Sequence, residues 1–100
     1  MEKTETVETV ETLPKVIKLI ILTNQQRLIS QIEEVGADIG EPDCKLVKPY
    51  EVLIQEDNKI YLNKWLDGIT SDDTFMMSSD KILTLAEPTM QILDIYKGLV

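Results

Sequence analysis

Two runs of strand-forming residues, VIKLIIL and RLISQIEEV, flank the polar tetrad Thr23-Asn24-Gln25-Gln26 and predict a hairpin over 16–35. Ile17, Leu19 and Ile21 share one face of the first run, while Val16, Ile20 and Leu22 crowd the other, where Lys18 is the only charge. Apolar residues on both faces require cover on both sides, which suits a small barrel or a strand overlaid by a second element. In the second run Leu28, Ser30 and Ile32 point one way and Arg27, Gln31 and Glu33 the other. Ser30, small between two large neighbours, allows a sharp bend without a core clash. The expected core is Ile17, Leu19, Ile21, Leu28, Ile32, Ile82 and Leu85.

The rest of the chain repeats the strand grammar and then leaves it. Residues 1–12, MEKTETVETVET, carry besides Met1 only two apolar side chains, Val7 and Val10, and read as a disordered acidic tail, with an extra edge strand as the alternative. Pro14 marks the entrance to the domain. Two glycines, a proline and three acids make a loop of 36–43. Cys44 to Gln55 is strand-like but holds Pro49 in its middle, which implies an edge or a bulge there. After a polar turn at 56–59, Ile60 to Trp65 alternates, Asp67 to Asp73 is a second acidic loop, Phe75 to Met77 is a brief strand, and Lys81 to Ala86 is the last. Ile92, Leu93, Tyr96 and Leu99 then recur at helical spacing, with Pro88 placed in the first helical turn. The reading is mainly β, a small antiparallel barrel over 13–87 followed by a helix over 88–100.

Charge and residue types narrow the chemistry. A net charge of −8 and a pI near 4.4 have the wrong sign for a broad phosphate-neutralising surface. The single cysteine, Cys44, excludes an internal disulfide and a cysteine-based zinc cluster, and the absence of histidine leaves its thiol without a base. The longest apolar run, Leu19 to Leu22, is too short to span a bilayer, and the acidic start does not resemble a signal peptide, so a cytoplasmic protein with no membrane contact is expected. Asp67, Asp72 and Asp73 match no standard cation loop and read as a solvated turn. Glu33 with Glu34, and Glu41 with Asp43, are carboxylate pairs without a sign of a cleft. Met76 and Met77 read as packing residues. Arg27, Lys45, Lys48 and Lys59 lack interleaved aromatics, so they give a weak nucleic-acid signal. Tyr50, Tyr61 and Trp65 form an aromatic set suited to anchoring a partner. No enzyme, metal or cofactor is expected.

The stretch Leu22-Thr-Asn24-Gln25-Gln-Arg-Leu28-Ile-Ser30-Gln-Ile32 resembles the first motif of Sm proteins, an apolar residue, Asn-Gly, then apolar, Gly, apolar. Met77-Ser78-Ser79-Asp80-Lys81-Ile82-Leu-Thr-Leu85 resembles the second, with Ile82 and Leu85 in the apolar places. From about Lys15 to Tyr96 the chain is similar to small Sm-like proteins of marine cyanophages, which would place it in a host cytoplasm. The resemblance implies a strongly bent five-stranded barrel that closes into a homo-oligomeric ring of pentamer to heptamer size. Its subunits would pair the strand holding Phe75 and Met77 with the strand holding Ile82, Leu83, Thr84 and Leu85 of the next, leaving no open sheet edge. In relatives that bind RNA, an Asp, an Asn and an Arg form a base pocket; here those places fall on Gly36, Gly40 and Ser78, none of which supplies stacking or charge. The implied function is a non-enzymatic ring that binds or assembles with protein, and the alternative is single-stranded nucleic acid bound through the ring without the usual pocket.

Overall fold

The structure, a computed structural model, describes residues 16–100; the tail expected over 1–12 lies outside them. Six strands follow one another: β1 (Ile17–Leu22), β2 (Arg27–Glu34), β3 (Cys44–Ile54), β4 (Ile60–Lys64), β5 (Thr74–Met77) and β6 (Ile82–Ala86). A single 3-10 turn, Ser79–Lys81, joins the last two, and helix α1 (Met90–Leu99) closes the series. The sheet is antiparallel in the order β4-β3-β2-β1-β6, with β5 also paired to β3.

This corrects the expected five-stranded barrel in two respects. The sheet has six strands, because β4 and β5 lie on opposite halves of the long β3, parted by the loop 65–73: β4 pairs Tyr50 to Ile54, and β5 pairs Cys44 to Val47. The sheet is also open, since β6 pairs only β1, and the outer edges of β6, β4 and β5 find no partner strand among the described residues.

Both short hairpins use one device. In the first, the Gln25 N–H donates to the Leu22 carbonyl (2.8 Å) and the Leu22 N–H to the Gln26 carbonyl (3.0 Å). Gln25 itself sits at φ 71°, so the three-residue loop is a turn followed by a left-handed residue. The Asn24 side chain accepts from the Gln26 N–H at 3.0 Å and fixes the turn. The β3–β4 loop repeats this pattern with Gln55, Asp57, Asn58 at φ 64°, and Lys59.

The middle of β2 and β3 is where the sheet bends. Ile29 is opposite Tyr50, yet Gln31 is opposite Val47, so Ser30 faces the extra residues Lys48 and Pro49. Lys48 takes φ 56°, and Pro49, which has no N–H to offer a ladder, is buried in the irregularity. Ser30 is fully buried there and donates its hydroxyl to the Gln31 and Val47 carbonyls. The extra residue inverts the inside–outside phase of β3. Leu46 therefore packs with Ile20, Leu22 and Leu28 on one face, whereas Val52 packs with Ile29, Ile92 and Tyr96 on the other.

The two-sided burial expected of β1 is explained by these two cores. Ile20 and Leu22 are buried in the first, and Ile17 and Leu19 are half-buried against the second. Of the expected core, Leu28 is fully buried and Ile17, Leu19, Ile21, Ile32 and Ile82 are half-buried. Leu85 is corrected: it stands opposite Ile20 but is 48 % exposed, because β6 is the outermost strand on that side among the described residues. Helix α1 begins after Pro88 rather than with it; Thr89 is the N-cap, and its hydroxyl accepts the Ile92 N–H at 3.3 Å. Only Ile92 and Tyr96 of the helix are buried, while Leu99, assigned to the same stripe, is 47 % exposed.

Candidate functional site

The loop between β2 and β3 and the short strands β5 and β6 hold the residues singled out by sequence. Gly36 and Gly40 lie in the exposed loop between β2 and β3, where the Val35 N–H donates to the Asp43 carbonyl and closes the base of the loop. A Cβ at either glycine would meet nothing within 4 Å, so neither position faces a cavity; Gly40 adopts φ 89°. Ser78 is extended backbone leading into the 3-10 turn and makes no side-chain cap. These are the places where the resemblance would put a base pocket, and they offer neither an aromatic nor a charged side chain to build one.

The two loops are nevertheless fastened together. The Asp43 carboxylate accepts both the Ser79 N–H (2.7 Å) and the Ser79 hydroxyl (2.8 Å). Those hydrogen bonds hold the Asp43 carboxyl below its usual value of 3.8. At the neighbouring position Cys44 is buried, and burial first, then the Asp43 and Glu34 charges, push its thiol up from 9.0. A raised thiol is a poor nucleophile, in keeping with packing rather than chemistry. The sequence reading paired Asp43 with Glu41 and missed this contact, since Ser79 is 36 residues away along the chain.

The expected interface residues divide by side. Phe75 packs edge-on against Trp65 with ring centroids 5.3 Å apart, and Met77 and Ile82 pack on the first core. Leu83, Thr84 and Leu85 are exposed on β6, Leu83 by 66 %. Thus β5 turns Phe75 and Met77 inward and leaves Met76, read from sequence as a packing residue, 51 % exposed, because alternate residues of a strand face opposite ways, while β6 presents open apolar side chains.

Of the aromatic set, Tyr50 stacks edge-on to Tyr96 (5.9 Å), Tyr61 is exposed on β4, and Trp65 is half-buried with its indole N–H lacking an acceptor among the described residues. Tyr96 is the residue sequence reasoning undervalued. Its hydroxyl donates to the Lys48 carbonyl at 2.8 Å and accepts the Gln31 N–H at 3.3 Å, filling the gap that the bend opens in the β2–β3 ladder. Burial raises its phenol above the usual 10.0. Helical spacing announces Tyr96 as a packing residue but says nothing about where its hydroxyl ends.

The remaining candidates stay apart. Among the described residues no three His, Cys, Asp or Glu side chains converge on a metal-sized site, and Asp67, Asp72 and Asp73 lie on an exposed loop. Glu33 pairs with Lys45 across β2 and β3 at 3.4 Å, so one carboxylate and one of the cations of the suspected basic set neutralise each other. Lys18 pairs with Glu87. No helix of the described residues is long and apolar enough to cross a membrane. No curated protein matches the chain. Residues 15–100 match a family of unknown function, DUF6561, and the chain belongs to that family.

Proposed function

We propose that the protein is a non-enzymatic, Sm-like interaction module that assembles into a homo-oligomeric ring and docks other protein. One observation carries the assembly: among the described residues the sheet ends in two unpaired rims, β6 on one side and β5 with β4 on the other, and β6 exposes Leu83 and Leu85. An apolar strand with a free edge seeks a partner, and two free rims of opposite ends join head to tail into a closed assembly. The strand order β4-β3-β2-β1-β6, with a 3-10 turn between β5 and β6, supports reading the fold as the bent sheet of that class. The docking half of the proposal rests on the acidic balance of the chain.

Light scattering at micromolar concentration tests the ring: a single species of several subunit masses is expected, and a stable monomer overturns it. Oligo-U and oligo-A titrations at physiological salt address single-stranded nucleic acid. Weak, salt-sensitive binding is expected from the charge and from Gly36, Gly40 and Ser78, and nanomolar affinity would replace the protein-docking half of the reading.

A further inference from the structure

The β3–β4 hairpin projects a face that no other element of the described residues covers. Glu51, Leu53, Tyr61 and Asn63 share that face, because Leu53 is opposite Tyr61, Glu51 is opposite Asn63, and the other side of the hairpin is occupied by Val52 and Leu62. Two open depressions run along it. One is lined by Leu53, Tyr61, Glu56 and Asp57 near the hairpin tip, the other by Glu51, Trp65, Asp67 and Ile69 nearer the body, and Asn63 borders both. Through Asn63 they adjoin, and together they are called the groove.

The lining is mixed in a particular way. Tyr61 is 44 % exposed and Ile69 80 % exposed, with Leu53 and Trp65 half-buried between them. Around these apolar surfaces stand the carboxylates of Glu51, Glu56, Asp57 and Asp67, none of which has an ion-pair partner among the described residues, against the single cation Lys64. We infer that this groove docks a basic, extended protein segment in which Lys or Arg side chains alternate with apolar ones. Alternation follows from the sheet, since a segment lying along a strand face presents every second residue to it. The sign follows from the unpaired carboxylates, which repel an acidic segment and nucleic acid alike. Tyr61 and Trp65 supply rigid, partly apolar surfaces on which Arg or Lys stems rest. The inference names the partner class for the docking half of the proposed function, and it holds for a monomer as well as for a ring.

Trp65 is the chain's single tryptophan and lies in the groove, so its emission reports occupancy directly. An alternating Lys-Leu octapeptide titrated into the full chain is expected to shift that emission saturably, while an alternating Glu-Leu octapeptide leaves it unmoved. The double variant Glu51→Gln with Asp67→Asn should weaken the Lys-Leu peptide by about fivefold. The double variant Asp80→Asn with Asp94→Asn removes the same charge at positions outside the groove's lining and should leave the affinity within about twofold. Tyr61→Ser, at an exposed position, should weaken binding without loss of fold by circular dichroism. Equal losses in the two double variants would reduce the effect to the net charge of the molecule and overturn the site, as would no emission change with the Lys-Leu peptide. Light scattering on the same samples separates the two proposals: peptide binding by a monomer sinks only the ring, and a ring that ignores the peptide sinks only the groove.

Discussion

Gln25 and Tyr96 show how single residues set the shape of this sheet. Gln25 holds φ 71°, a conformation that costs a residue with a Cβ roughly 1–2 kcal/mol and that glycine adopts freely. Gln25→Gly should therefore raise stability by about 1 kcal/mol, after the added freedom of the unfolded chain is subtracted, and denaturant titration checks it. A loss of stability would mean that the Gln25 side chain makes a contact worth more than the strain. Tyr96→Phe keeps the ring that packs on Ile29 and Val52 and removes only the hydroxyl. The Gln31 N–H and Lys48 carbonyl are then left without that partner, at a cost of about 1–3 kcal/mol. A change near zero would assign the bend to Ser30 and Pro49 alone.

At the scale of elements, the strands were largely legible because each is a short apolar run between turn residues, and the polar tetrad marks its hairpin unambiguously. Pro49 announced an irregularity in β3 for a stated reason, the missing donor. What sequence could not supply was phase: whether Leu46 and Val52 share a face depends on the extra residue at Lys48 and Pro49, and both alternations look alike in one dimension. The exposure of Leu85 was hidden likewise, because an apolar edge residue and an apolar core residue carry the same letter. The edges lead to a test of assembly. Leu83 is already 66 % exposed, so Leu83→Lys should change monomer stability by under about 0.5 kcal/mol yet place a charge on the rim. Sedimentation velocity should show smaller species for this variant than for the wild type; an unchanged assembly would remove β6 from the interface.

The molecule as a whole joins distant loops by few polar contacts, and the Asp43–Ser79 clamp gives one of them a pH signature. Asp43 titrates below 3.8 when folded and near 3.8 when unfolded, so the clamp stabilises fully above that value and is lost as pH falls through the lowered one. Ser79→Ala should be less stable than the wild type at neutral pH, and the gap between them should close below pH 3.8, as thermal melts across the acid range would report. A gap that stays constant with pH would assign the loss to something other than the carboxylate. The clamp and the Tyr96 plug share a property invisible in local sequence, for their partners are separated by 36 and 48 residues. That separation has a consequence for how the protein is made. The Lys48 carbonyl leaves the ribosome 48 residues ahead of the hydroxyl that will pair it. At ~5–20 residues per second the bent strand waits roughly 2–10 s with its ladder incomplete. During that interval water, or a chaperone, must hold the bend that Tyr96 later closes.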